Sequence, residues 1–157
     1  MTGLYYFVAA LLVALDQITK YLARTLLMGQ GTIVLIPGFL GLEYVENTGM
    51  AFSALTGFTP LLTVVSLVLS LLLAGAIWKK WLPHPFAQWM LTLVLAGAVG
   101  NLIDRALFGY VTDMIKTLFM TYPVFNVADC CVVVGAFALA GFILFFWKEE
   151  RQEEVRS

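Results

Sequence analysis

Charge is what this sequence has least of. Of its 157 residues, 12% are charged and 61% are apolar, whereas a soluble domain typically carries about 25% charged residues. So few ionised side chains cannot cover a water-facing surface, which argues against a soluble globular domain. The net charge is −1, so the basic surface that nucleic-acid binding needs is missing and no nucleic-acid partner is expected. Histidine is nearly absent. The single copy, His84, lies between Pro83 and Pro85 in a short polar connector, which leaves a serine or cysteine nucleophile elsewhere without its usual base. The two cysteines, Cys130 and Cys131, are adjacent inside an apolar run. They offer neither a disulfide framework nor metal-ligand spacing, and packing is the expected role. No zinc ligand set stands out, and no glycine-rich phosphate or dinucleotide motif occurs, so neither a metal nor a cofactor is expected. There is also no internal repeat, which removes the signature of an inverted-repeat transporter.

Long apolar runs are what the sequence does have. A helix needs about 20 mostly apolar residues to cross the hydrocarbon core. Four stretches qualify, at roughly 4–26, 61–78, 86–103 and 124–147. They predict an all-α membrane bundle of four transmembrane helices in a single domain spanning 1–157. The first run is not preceded by Lys or Arg and continues into an amphipathic stretch, so it reads as a span and not as a cleaved signal. Lys79 and Lys80 lie in the connector before Pro85, and Lys148, Arg151 and Arg156 lie in the tail. In a four-span arrangement these share a side with both termini, and the positive-inside rule makes that side cytoplasmic. The charged tail reads as a solvated end.

The outer connectors, 28–60 and 105–122, are the informative ones. Ile33–Ile36 and Leu40–Val45 flank Pro37-Gly38, the pattern of two paired strands around a turn. Tyr110–Ile115 is another short strand-like run, expected to join the same small sheet over the outer mouth of the bundle, since irregular backbone cannot face lipid.

A few polar residues stand at the edges of the apolar runs, where ionisable groups are expensive and a functional reading is the default. Asp16 and Lys20 are spaced i,i+4 and either simply pair or buttress a site. Asn47 and Gly49, in Asn47-Thr48-Gly49-Met50-Ala51-Phe52-Ser53, read as a turn or as an amide aimed at a substrate backbone. Asn101, Asp104 and Arg105 share a helix face, with an Asp104–Arg105 charge cluster and a snorkelling Arg105 as the bland reading. Asn126 and Asp129 resemble a capping box. Pro123 favours an earlier helix start, and the expectation is a helix from Pro123 that carries both residues inside it, facing inward. A buried Asp129 then needs a partner, and Asp113 is the nearest candidate in sequence. Two carboxylates sharing a site cannot both ionise easily. The ionised one can take a proton from water while the protonated one polarises a carbonyl, as in aspartic proteases. Of the competing readings, a polar-cored carrier lacks a polar path through the second span. A lipid-binding assembly subunit would differ from an enzyme in showing no cleavage that Asp substitutions abolish while substrate binding is retained.

Five stretches, in order, resemble the bacterial lipoprotein signal peptidases (signal peptidase II). They are Asp16-Gln17-Ile18-Thr19-Lys20, Asn47 to Ser53, Gly100-Asn101-Leu102-Ile103-Asp104-Arg105, Val111-Thr112-Asp113-Met114-Ile115 and Phe125-Asn126-Val127-Ala128-Asp129. Each is weak alone, but the ordered set is specific. The resemblance implies a multi-pass protein of the bacterial inner membrane, with a small extracytoplasmic β-sheet and a short surface helix. It implies an intramembrane aspartyl endopeptidase that removes the signal peptide from prolipoproteins, cutting before a diacylglyceryl-modified cysteine. Asp113 and Asp129 would be its catalytic dyad, near the extracytoplasmic interface. Asp16, Lys20, Asn47, Gly49, Asn101, Asp104, Arg105, Asn126 and Ala128 would support the site or bind substrate. The implied partners are lipid-modified signal peptides and membrane lipids, with the enzyme expected to be a monomer. Thr112 and Met114 depart from the family, which more often has an aliphatic and an aromatic residue there.

Overall fold

A computed structural model describes residues 2–49 and 58–147. Four helices dominate it: α1 (Thr2–Leu26), α2 (Thr59–Trp78), α3 (Pro85–Phe108) and α4 (Val127–Phe145). All four are long and apolar enough to cross a membrane. Three strands, β1 (Ile33–Ile36), β2 (Leu40–Asn47) and β3 (Val111–Thr117), form one antiparallel sheet in the order β1-β2-β3. The paired strands expected around Pro37-Gly38 are there. Phe39 N–H bonds the Ile36 carbonyl at 3.0 Å, and Gly38 has φ +71°. Glycine supplies the positive φ that a type II turn requires at its third residue, and proline is common at the second. The third expected strand joins the same sheet. No short surface helix occurs among the described residues. Met50–Ser53 and the charged tail lie outside them.

α3 is the hub, packing on α1, α2 and α4. Its buried face is built largely of small residues, Ala87, Ala96, Gly97, Ala98 and Gly100 among them. Small side chains let helix backbones approach closely, which is how helices associate where lipid supplies no hydrophobic drive. Gly97 is the clearest case: a Cβ there would collide with the Ala128 carbonyl oxygen and approach Val132 Cγ2 to 2.6 Å. By contrast, Phe7, Leu11 and Ile18 on α1, Val64 and Leu71 on α2, and Val134 and Phe137 on α4 are exposed. Such an outer surface suits hydrocarbon, not water.

The bundle is polarised along α3. Around its beginning the core is apolar, with Tyr5, Ala9, Ala76, Ile77, Leu91 and Leu95 packed together. The buried charged residues, Asp16, Lys20, Asp104 and Asp113, gather at the other end, beside the sheet. α3 also runs further than expected, to Phe108, and stops at Gly109. Gly109 has φ +78° and returns its N–H to the Arg105 carbonyl at 3.1 Å, the left-handed C-terminal cap that glycine favours. Arg105 therefore belongs to the helix and not to the connector.

Candidate active site

Two helices meet the sheet at the site, and a helix start decides its geometry. α4 begins at Val127, with Asn126 as its N-cap. Asn126 Oδ1 accepts from Asp129 N–H at 2.8 Å, and Asp129 Oδ2 accepts from Asn126 N–H at 3.2 Å. This is a reciprocal capping box, so the expected helix start at Pro123 is wrong. The cause lies outside the helix. Phe125 exchanges backbone hydrogen bonds with Ile115 on β3 (2.8 and 3.0 Å) and also accepts from Met114 N–H. That bridge holds the chain extended up to Asn126. A further orphan N–H of the helix start, that of Ala128, goes to Asp16 Oδ1 on α1 at 2.9 Å. Ala128 is itself buried against α3, its Cβ close to Gly100.

The same Asn126 touches both aspartates. While its oxygen caps α4, its Nδ2 donates to Asp113 Oδ1 at 2.6 Å and to Asn101 Oδ1 at 3.2 Å. Asp113 Oδ2 accepts from Asn47 Nδ2 at 3.0 Å, and Asp129 Oδ1 accepts from Asn101 Nδ2 at 2.8 Å. Every carboxylate oxygen of the two aspartates thus faces an N–H donor. Asp113 and Asp129 line one cavity of about 290 Å³ together with Asn47, Asn101 and Arg105. Its apolar wall includes Val132 and Val133 of α4, and Val133 is also exposed on the outer surface. The cavity therefore lies at the edge of the apolar, outward-facing side.

Asp113 stands on β3, outside the helices. Burial, above all, and the neighbouring Asp129 carboxylate push its pKa up to about 7, against the opposing hydrogen bonds from Asn47 and Asn126. An acid poised near neutrality can hold a proton or release it within the working range, which is what general acid–base chemistry needs.

Comparison with known proteins adds the family. The family described as signal peptidase (SPase) II matches residues 8–145. The chain belongs to the signal peptidase II family. The lipoprotein signal peptidase of Enterococcus faecalis is 40% identical over 154 residues, 98% of this chain and 94% of its own. That of Caldanaerobacter subterraneus is 43% identical over 141 residues, 88% of this chain and 94% of its own. A solved bacterial membrane enzyme shares the fold with a TM-score of 0.84 at 30% identity, over 90% of this chain and 88% of its own. The chain is therefore a peptidase, and with its four helices a multi-pass membrane protein.

Not every expected site residue of the peptidase faces the cavity. Asp104 does not line the cavity. It is fully buried, and its Oδ2 accepts Thr112 N–H at 2.8 Å and lies 3.8 Å from Lys20 and 3.6 Å from Arg24. Arg105 lines the cavity, and its guanidinium donates to the Gly49 carbonyl at 3.2 Å and to Ser66 Oγ at 3.4 Å. Asn47 directs its amide at Asp113, while its oxygen takes the Gly49 N–H at 3.0 Å, so the turn and the site contact coexist. Asp16 and Lys20 do pair, at 2.9 Å, with both side chains buried, yet Asp16 also holds α4. Two contributors escaped the sequence reading. Gln17 Nε2 donates to Asp16, to the Gly100 carbonyl and to Asp104. Arg24 binds Thr112 Oγ1 at 2.7 Å and lies over the Phe108 ring. Gln17 stands inside a quoted motif. Arg24 carried the signal of a lone cation four residues after Lys20 on the same helix face.

Proposed function

We propose that this peptidase is an intramembrane aspartyl endopeptidase in which Asp113 and Asp129 act as one acid–base pair. The observation that carries the reading is Asn126, which hydrogen-bonds both aspartates from the start of α4. A shared cavity wall supports it further. The ionised member of the pair takes a proton from water as the oxygen attacks the scissile carbonyl carbon. The protonated member gives its proton to the carbonyl oxygen. Collapse of the tetrahedral intermediate then delivers a proton to the leaving nitrogen and regenerates the pair. Because the two carboxyls titrate as a unit, neither is assigned the proton. Asn47, Asn101 and Asn126 hold the carboxylates. Asp16, Lys20 and Asp104 brace the helices around them, with Gly49 and Ala128 as close-packed backbone and Arg105 as the cation on the cavity wall.

The substrate we infer is a prolipoprotein, cut before a cysteine that already carries diacylglycerol. The relatives' name, lipoprotein signal peptidase, and the cavity's apolar wall beside exposed Val133 support lateral entry of a membrane-embedded signal peptide. The proposed setting is the bacterial inner membrane. One monomeric domain spans it, with both termini in the cytoplasm, the sheet outside and lipid around the helices.

The purified protein should cleave a peptide bearing the lipidated cysteine and spare its unlipidated twin. Asp113→Asn and Asp129→Asn should each abolish cleavage while the protein stays inserted and folded. Near-normal turnover in either variant would remove that residue from the mechanism.

A further inference from the structure

Lys20 is an ammonium where an ammonium is hardest to place. It is wholly buried in the polar end of α1, and a buried charge is costly unless paired and hydrogen-bonded. Asp16 Oδ2 at 2.9 Å supplies the pairing. A second bond of the same length runs to Asn101 Oδ1 on α3, with a longer one to the Gly100 carbonyl at 3.4 Å.

The Asn101 bond has a directional consequence. An ammonium has three donors and no acceptor, so the atom of Asn101 beside it must be the amide oxygen. The other end of the amide, the NH₂, is then the end that meets Asp129 Oδ1 at 2.8 Å. A flipped amide would set NH₂ against NH₃⁺ and an oxygen against the carboxylate, turning two attractions into two repulsions. Asn126 Nδ2 donates to the same Asn101 oxygen, which reinforces that orientation.

We propose that Lys20 is a positioning residue for peptide cleavage, acting through Asn101 to fix the amide that holds Asp129. The proposal rests on the reading of Asp113 and Asp129 as the dyad. Around Lys20, Asp16 and Gln17 come from its own helix, and Asp104 faces it from α3 at 3.8 Å. Arg24 shares Asp104. Asp16 and Asp104 thus already balance Lys20 and Arg24, so neutralising Asp16 does not by itself require the extra bond to Asn101.

The test is a double-mutant cycle on turnover, with melting temperature measured alongside. Lys20→Met should lower kcat about tenfold or more, which corresponds to ~1.4 kcal/mol, with KM nearly unchanged. Asn101→Ala should do the same, and the double variant should lose little beyond Asn101→Ala alone, since no amide remains to be oriented. A Lys20→Met protein that melts lower yet keeps its kcat would make Lys20 a structural ion pair only. Losses that multiply in the double variant would show that it acts independently of Asn101. If Lys20→Met does not fold, the charge-balanced pair Asp16→Asn, Lys20→Met, compared with Asp16→Asn, carries the same expectation and the same refutation. Asp129→Asn, assayed in parallel, separates the two claims. Turnover there would overturn the dyad, whereas an inactive Asp129→Asn beside a fully active Lys20→Met overturns only the role given to Lys20.

Discussion

Replacing Asn126 by serine separates the two things its amide does. Serine is a good N-cap, and its hydroxyl can take over the bond from Asp129 N–H. It is too short to reach Asp113 as well. Asn126→Ser gives up the Nδ2 bonds to Asp113 and Asn101 but keeps the cap. It should therefore melt below the unmodified protein yet above Asn126→Ala, which also loses the cap and should be about 1 kcal/mol less stable again. Turnover should fall in both. Asp113 loses the shorter of its two amide donors, the 2.6 Å one. Hydrogen bonds to a charged group contribute about 1.5–3 kcal/mol, so kcat should drop roughly ten- to a hundredfold. The pH dependence has a definite sign. A donor to the ionised form lowers a carboxyl pKa. Removing it moves Asp113 above its present value of about 7, and the activity profile should shift toward higher pH. The assay is kcat and KM on a lipidated reporter peptide over a pH series, with thermal melts of the same preparations. Full turnover at an unchanged pH optimum in Asn126→Ser would refute the reasoning. So would a melting temperature as low as that of Asn126→Ala, since the cap would then not have been preserved.

Gly97→Ala is favoured by helix propensity, by about 1 kcal/mol, yet its Cβ has no room against the Ala128 carbonyl and Val132. It should lower both melting temperature and turnover by displacing the start of α4, and a more stable, fully active variant would contradict that packing. Cleavage should survive a strong chelator and a Cys130→Ala, Cys131→Ala double substitution. Loss of activity restored by added zinc, or a folded but inactive double variant, would overturn an aspartyl mechanism. Reporters fused after Lys80 and after Ser157 should read as cytoplasmic, and one placed within Gly29–Gly38 as external. An external signal at the C-terminus would sink the four-span topology.

The apolar runs made the helices legible, because the hydrocarbon core demands length and composition and little else. Pro37-Gly38 made the first hairpin legible, because proline favours the second position of a turn and glycine the positive φ of the third. The start of α4 was misread. Asn126 and Asp129 carried the right cap signal, and Pro123 carried a local preference that competed with it. What decided between them was the pairing of Phe125 with Ile115, a tertiary contact with no local trace. The partners of Asp104 were not legible for a related reason. Spacing placed it on the same face as Arg105 but could not show that Thr112, Lys20 and Arg24 would claim it first. Periodicity orders residues around a helix, but only the neighbouring elements determine which side is the site.

The capping of α4 also bears on the order in which the enzyme is made. α4 is the last of the four helices in the chain, and synthesis runs from the N-terminus. Until α4 arrives, Asp113 has neither Asp129 nor Asn126 beside it. Once it arrives, its first N–H groups find acceptors on Asp16 and Asn126, in a setting where unpaired backbone groups are costly. On the proposed mechanism, docking of α4 and completion of the Asp113–Asp129 pair are thus one event. An incomplete chain lacking α4 would then hold Asp113 without Asp129 and Asn126, and the proposed pair would form only once the last described helix has docked.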